Sequence, residues 1–281
     1  KEVENTMPRA AVLGSPIKHS LSPVLHNAGY EAAGLASWDY TRFETSAEGL
    51  PELVAASDSE FVGFSVTMPG KFAALRFADT VSDRAQLIGS ANTLVRRADG
   101  WYADNTDTEG VRGALGELLG DSPAAHALLI GAGGTARPAL WALAERGVKK
   151  VTVLNRSDRS AELLPLAQNL GLELSFVSFD GDLSTLARAV DVIVSTVPAA
   201  AVKDYVFDLA HAPVLDVIYD PWPTPLTTCA AANGYKTVGG HVMLAHQAFS
   251  QFEQFTGVAA PREEMLKALH QELQRRSQTT K

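Results

Sequence analysis

The sequence is short of three things. It has one cysteine, Cys229, in 281 residues. A disulfide within the chain is therefore impossible, and a fold held by crosslinks is excluded. Cys229 sits in an apolar helical run, residues 226–232, where it reads as packing rather than as a nucleophile. No apolar run reaches the roughly 20 residues that a membrane helix needs, and none has the form of a signal peptide. The third shortage is positive charge: 24 Lys and Arg face 32 Asp and Glu, a formal net charge of -8. No basic run offsets that balance, which counts against a nucleic-acid partner. Together these shortages fit a cytoplasmic protein with a small-molecule ligand and neither a membrane nor a nucleic acid as partner. The polar stretch Lys1–Thr6 ahead of Met7 reads as an appended or disordered start. There are no internal repeats and no low-complexity segments.

What is present centres on Leu128-Leu129-Ile130-Gly131-Ala132-Gly133-Gly134-Thr135-Ala136. The apolar run 127–130 reads as a buried parallel strand, and a helical pattern begins by Thr135. Strand, glycine turn, helix is the context of a dinucleotide fingerprint. The first glycine permits a tight turn, the second lets backbone approach a pyrophosphate, and Ala136 keeps helix and strand close. The helix start offers unpaired N–H groups to the phosphates. The next strand, 150–154, ends in Asn155-Arg156-Ser157. Sites for NAD usually carry Asp or Glu at that point, to accept from the ribose 2′-OH. Asparagine followed by arginine suits a 2′-phosphate instead, which predicts NADP. Asp158 is the opposing feature, and Arg159 offsets it.

Before this unit, a short strand at 10–13 runs into a hydroxyl-rich loop, 14–23, and then a helix over 24–33. Ser22 before Pro23 reads as an N-cap with proline at the first helical position. Ser20 has no such duty, so two hydroxyls beside a helix start form a candidate carboxylate site. A strand at 61–67 runs into Met68-Pro69-Gly70-Lys71. Lys71 is either a solvated charge or a site residue, since α/β proteins place their sites at strand ends. Asp83 and Arg84 read as solvated. Asn92 lies in a turn leading to a strand, and Asp99-Gly100 marks a hairpin. Asp107 reads as a cap of the helix that follows. After the glycine turn, strands alternate with helices as far as residue 238, which predicts a parallel sheet with helices on both faces. A strand at 190–195 again ends facing a ligand, at Thr196-Val197-Pro198. Gly239-Gly240 breaks the pattern, and two helices close the chain, over 241–255 and 262–276.

Taken together, the loops resemble one family, the NADP-dependent shikimate dehydrogenases. The matching segments are Ser20 to Pro23, Val66 to Lys71, Gly89 to Thr93, Asn105 to Asp107, Gly131 to Thr135, Asn155 to Ser157, Asp216 to Tyr219, and Gly239-Gly240 through His246-Gln247-Ala248. They occur in family order across almost the whole chain. The resemblance implies an α/β fold of two domains. A substrate-binding catalytic domain, 1–107 plus 241–281, would be completed by the C-terminal helices. A doubly wound, Rossmann-like NADP domain would occupy 108–240. The activity implied is the reversible NADPH-dependent reduction of 3-dehydroshikimate to shikimate, in the pathway to chorismate and the aromatic amino acids.

The family's roles carry over residue by residue. Ser20, Ser22 and Tyr219 would bind the substrate carboxylate. Thr67, Asn92 and Gln247 would hold ring hydroxyls along with Lys71 and Asp107, which form the catalytic pair. Gly131, Ala132, Gly133, Gly134 and Thr135 would cradle the pyrophosphate; Asn155, Arg156, Ser157 and Arg159 would face the 2′-phosphate. Val217 and Gly240 would lie near the nicotinamide, and Asp83 matches a further cofactor-side position. No metal is implied, and the protein would be a monomer or homodimer. The residue types suit the chemistry. Hydride arriving at a carbonyl carbon leaves negative charge on the oxygen, which an aimed ammonium stabilises. A carboxylate beside that ammonium favours its charged form, so Lys71 reads mainly as a positioned charge and hydrogen-bond donor.

Two departures from the family stand out. Ser65 replaces a frequent asparagine, and Arg159 falls one place earlier than the family's basic residue. The alternatives are a quinate/shikimate dehydrogenase, a catalytically silent NADP-binding module, and enzymes resembling glutamyl-tRNA reductase or methylene-tetrahydrofolate dehydrogenase. The first tends to carry an acid where Asn155 stands. The second has no reason to keep Lys71 with Asp107, and the third lacks the Ser20 to Pro23 loop.

Overall fold

The structure is a computed structural model and describes residues 7–279; Lys1–Thr6 lie outside the described residues. The described residues form two compact units. The first comprises the chain up to Thr106 together with everything from Gln247 onward, and the second runs from Asp107 to His246. Each unit is built on a six-stranded sheet.

The first unit contains β1 (Arg9–Gly14), α1 (Ser22–Ala32), β2 (Asp39–Glu44), α2 (Leu50–Ala56), β3 (Phe61–Val66), α3 (Lys71–Phe77), β4 (Thr80–Val81), α4 (Asp83–Ile88), β5 (Thr93–Arg97) and β6 (Gly100–Asp104). The strand order is β2-β1-β3-β5-β6-β4. β1, β2 and β3 are parallel, joined through helices, whereas β5 runs antiparallel to β3 and to β6. The predicted hairpin joins β5 to β6, and Gly100 at its turn has φ +124°, a conformation that disfavours any side chain. Leu13, Phe64, Leu94 and Trp101 fill a core with α2 and α3. Elsewhere in the unit, α1 fits closely onto the later helices. A Cβ on Gly29 would come within 2.7 Å of the Phe252 ring.

The second unit contains α5 (Asp107–Leu119), β7 (His126–Ile130), α6 (Ala136–Glu145), β8 (Lys150–Leu154), α7 (Ser160–Leu170), β9 (Glu173–Val177), α8 (Leu183–Ala189) and β10 (Val192–Ser195). Then come two short helices, α9 (Ala199–Val202) and α10 (Val206–Leu209), followed by β11 (Val214–Asp216), α11 (Pro225–Ala232) and β12 (Thr237–Gly239). All its strands are parallel, in the order β12-β11-β10-β7-β8-β9. That is the doubly wound order, with its reversal point between β7 and β10. Side chains alternate between two cores: Ala127 and Leu129 of β7 join one, Leu128 and Ile130 the other. Both faces are therefore covered, as the apolar strands require.

α12 (Gly240–Thr256) begins in the second unit, and from Gln247 its residues belong to the first, as does α13 (Arg262–Thr279). The expected break at Gly239-Gly240 is sharper than foreseen, because β12 ends at Gly239 and α12 starts with the next residue. No helix among the described residues is long and apolar enough to cross a membrane.

Candidate active site

In the second unit the glycine turn follows β7, at the reversal point of the sheet. Gly131 has φ +104°, and its N–H donates to the Leu154 carbonyl at 2.9 Å. A Cβ there would strike the Thr196 side chain at the end of β10. Thr196 Oγ1 donates to the Ile130 carbonyl at 2.8 Å, so the two strand ends that flank the crevice are tied together. Gly133 and Gly134 are different. They are exposed, and a Cβ on either would meet nothing within 4 Å. Their bareness answers no need of the protein's own packing; it leaves backbone open to a ligand, as the pyrophosphate of NADP requires. Ala136, the first residue of α6, is fully buried.

At the end of β8, a cavity of about 150 Å³ is lined by Asn155, Arg156, Ser157 and Asp158, with Phe176 and Ser178 beyond β8. Asn155 Nδ2 donates to the Ser157 carbonyl at 2.9 Å, which shapes the turn. Arg156 is exposed beside it. Asp158, the opposing carboxylate, accepts the Ser160 N–H at 2.9 Å, and its pKa is lowered by its hydrogen bonds with Ser160. Arg159 Nη1 lies 3.7 Å from Glu162 Oε2 on the exposed first turn of α7. The residues at this strand end thus fit a 2′-phosphate, with Arg156 the better-placed cation.

Val217 and Gly240 come together as well: a Cβ on Gly240 would overlap the Val217 backbone, and the Gly240 N–H donates to the Ile218 carbonyl at 3.2 Å. The loop between β11 and α11 carries Val217 and the half-buried Tyr219. It is clasped by Asp216, which accepts Thr224 Oγ1 at 2.8 Å and the Ile218 N–H at 3.1 Å. Burial raises the Asp216 pKa against those hydrogen bonds. Asp216 marked a family segment in the sequence, but its role as a clasp was not legible there.

In the first unit, the ends of β1, β3 and β5 bring several candidates together. Thr67 follows β3, and its N–H donates to the Leu13 carbonyl at 2.9 Å. Lys71 is the first residue of α3, and its carbonyl accepts the Ala91 N–H at 3.0 Å, next to Asn92. Asn92, in the turn before β5, is buried. It is 3% exposed, and its Oδ1 accepts the Thr106 N–H at 2.7 Å and the Thr93 hydroxyl at 2.8 Å. Ser22 is buried, but it does not cap α1. That position falls to Leu21, which makes no side-chain cap bond, and the Ser22 N–H donates to Ser20 Oγ at 3.3 Å. The Ser20 hydroxyl therefore lies against the Ser22 backbone at the start of α1. Gln247 is buried on α12. Asp107 opens α5 and belongs to the second unit, as do Tyr219, Val217 and Gly240. Asp83 is exposed at the start of α4 in the first unit.

Arg84 corrects an expectation. It is not solvated but forks onto Asp104, Nε to Oδ1 at 2.8 Å and Nη2 to Oδ2 at 2.7 Å. Burial pushes the Asp104 carboxyl upward, but the Arg84 fork, Ser82 and Gln254 together hold its pKa at about 2. The pair anchors the end of β6, which leads to Asn105 and Thr106. Sequence reasoning also missed Gln251, on α12 one turn beyond Gln247 and therefore on the same helix face. Among the described residues, no group of three or more His, Cys, Asp and Glu side chains is arranged to hold a metal ion.

A doubly wound parallel sheet with an open glycine turn at its reversal point marks the chain as a dinucleotide-dependent oxidoreductase. Three family models match it: the shikimate dehydrogenase substrate binding domain over residues 12–94, shikimate / quinate 5-dehydrogenase over 115–209, and the shikimate 5'-dehydrogenase C-terminal domain over 240–270. A shikimate dehydrogenase (NADP(+)) of Desulfitobacterium hafniense is 36% identical, over 94% of this chain and 97% of its own length. The crystal structure of a Mycobacterium tuberculosis shikimate dehydrogenase is 52% identical, with a TM-score of 0.89, over 94% of this chain and 99% of that one. The pentafunctional AROM polypeptide of Saccharomyces cerevisiae is 35% identical over 89% of this chain, which spans only 17% of the length of that relative. The chain belongs to the shikimate dehydrogenase family.

Proposed function

We propose that the protein catalyses the reversible reduction of 3-dehydroshikimate to shikimate with NADPH. The observation that carries this reading is its match, over nearly the full length of both partners, to single-activity members of the family. The open glycine turn and the Asn155-Arg156 strand end support the cofactor.

When bound, NADPH supplies the hydride. The rest is work for the chain's own residues. Gly131 to Thr135 would hold the pyrophosphate by backbone N–H groups, and Arg156 would meet the 2′-phosphate. Ser20 and Ser22, with Tyr219, hold the substrate carboxylate. Thr67, Asn92 and Gln247 fix the ring hydroxyls, which orients the reacting carbonyl. Lys71 presents its ammonium to the carbonyl oxygen and stabilises the charge that develops there, and the proton that completes the new hydroxyl comes from that ammonium or from water. Asp107 is the second member of the catalytic pair that the resemblance implies, the carboxylate that would favour the charged form of that ammonium. In this reading the first unit is the substrate domain and the second the NADP domain. The protein would work in the cytoplasm, as a monomer or homodimer.

The test is an absorbance assay of the purified protein, with shikimate and quinate each offered NADP⁺ and NAD⁺. Shikimate with NADP⁺ should be the best pair. In the reverse direction, kcat/KM with NADPH should exceed that with NADH by at least about tenfold, roughly 1.4 kcal/mol of discrimination. Equal rates with the two cofactors would refute the Arg156 assignment, and a preference for quinate would refute the substrate.

A further inference from the structure

The first unit holds a buried polar chain that ends at Asn92, and its other members, Tyr40, Ser65, Gln251 and Thr93, carry none of the assigned roles. It begins at Tyr40 on β2, passes through Ser65 on β3 and Gln251 on α12, and ends at Thr93, the first residue of β5, and Asn92 just before it. Tyr40 is 2% exposed, Ser65 4%, Gln251 1% and Thr93 0%. Each hydrogen in the chain can be located. Gln251 Nε2 donates to the Asn92 carbonyl at 2.9 Å and to Thr93 Oγ1 at 3.0 Å. Gln251 Oε1 accepts the Ser65 hydroxyl at 2.7 Å. The one Ser65 hydrogen is thereby engaged, so the 2.6 Å contact with Tyr40 has the phenol as donor. On the other side, Thr93 accepts from Gln251 and gives its own hydrogen to Asn92 Oδ1 at 2.8 Å.

The consequence falls on Asn92. Its Oδ1 receives Thr93 O–H and Thr106 N–H, while its Nδ2 donates to Thr106 Oγ1 at 2.9 Å. A reversed amide would set its Nδ2 against the Thr106 N–H, a donor that cannot turn, and would force the Thr93 hydroxyl, which Gln251 holds, to turn away. Gln251 also holds the Asn92 backbone carbonyl, which accepts the Val66 N–H at 2.7 Å. One amide side chain therefore braces β3 against β5 at the ends that carry Thr67 and Asn92. Ser65 completes the chain.

We infer that Gln251 is a positioning residue for the substrate side: it fixes the place and amide orientation of Asn92 and so the direction of the hydrogen bond offered to a ring hydroxyl. The inference rests on the proposed function for the identity of that ligand. The brace itself lies wholly within the first unit.

The experiment compares Gln251→Leu, Ser65→Ala, Asn92→Ala and the Gln251→Leu/Asn92→Ala double variant with the unmodified chain. Gln251→Leu should raise the KM for shikimate about tenfold, on the scale of a lost hydrogen bond. The KM for NADP⁺ should stay within about twofold, as no cofactor contact is involved. Ser65→Ala, the milder change, should act in the same direction and serves if Gln251→Leu does not fold. The double variant should be no worse than Asn92→Ala alone, since Gln251 acts through Asn92. Losses that add, or KM values for both ligands that rise together, overturn the inference. A second readout needs no activity. The Asn92 side-chain NH₂ signals in a ¹⁵N correlation spectrum, assigned by their loss in Asn92→Ala, should shift in Gln251→Leu and Ser65→Ala. Unmoved signals refute the brace. An unmodified chain that turns over neither shikimate nor quinate refutes the functional reading instead and leaves the spectrum to decide the brace.

Discussion

The two units prepare their ligand groups in opposite ways. The second relies on absent side chains: Gly133 and Gly134 lie open at the turn, and Gly240 lets α12 start against Val217. The first relies on side chains locked against one another, with Asn92 held by Thr93 and Thr106 and braced by Gln251. The difference follows from the ligands proposed for them. A pyrophosphate is a diffuse anion that any backbone N–H satisfies. Ring hydroxyls both donate and accept, so their recognition needs amides and hydroxyls of fixed direction. A site of the first kind fails when a side chain is added, and one of the second kind when a side chain is removed.

The largest effect expected is on the removal side. Lys71→Ala should lower kcat by about 10²–10⁴-fold, the range for loss of a positioned acid–base group. The KM should move much less, because the ammonium acts on charge that exists only in the transition state. A near-normal kcat would take Lys71 out of the chemistry.

The addition side gives the next effect, and two glycines separate ligand from fold. Gly133→Ala adds a methyl that meets nothing in the protein, so stability should change by no more than about 0.5 kcal/mol. Binding of NADPH, followed by its fluorescence, should weaken at least about tenfold, or roughly 1.4 kcal/mol. Gly131→Ala should instead destabilise the folded protein by about 1–3 kcal/mol, from its left-handed backbone and the Thr196 side chain in its way. Normal NADPH affinity in Gly133→Ala would end the contrast between the units.

A further effect concerns the core behind the substrate side. His26 is fully buried and stacked on Tyr40, with ring centroids 4.2 Å apart. Burial drives its pKa down to about 3 from the ordinary 6.5, against a weaker upward pull from Gln251. The unfolded chain takes up a proton as pH falls through 6.5, and the folded protein does not until near 3. Stability is therefore full above pH 6.5 and declines below it. Urea midpoints measured from pH 7 to 4.5 should fall for the unmodified chain and fall less for His26→Leu. Parallel curves would show that His26 does not govern this range. Asp104, held at about 2, adds its own loss only below its ordinary 3.8.

The cofactor side was largely legible in the sequence. Glycines, an apolar strand and Asn155-Arg156 are contiguous along the chain, and local geometry sufficed to read them. Much of the substrate side was not. Ser22 read as a cap, yet Leu21 takes that position, because the loop turns one residue earlier. Arg84 read as solvated, yet its partner Asp104 lies on another element. Gln251 gave no signal of its own, since its partners Ser65 and Asn92 are 186 and 159 residues away along the chain.

Sequence alone determined the alternation of strands and helices, the bare backbone of the glycine turn and the residue types at each strand end. These depend on period and on covalent structure, which are properties of neighbours in the chain. Only the folded chain decided which polar groups are buried together and which way their hydrogens run. Direction in a hydrogen-bonded network is fixed by the last partner to join it, and here that partner is delivered by a helix near the end of the polypeptide.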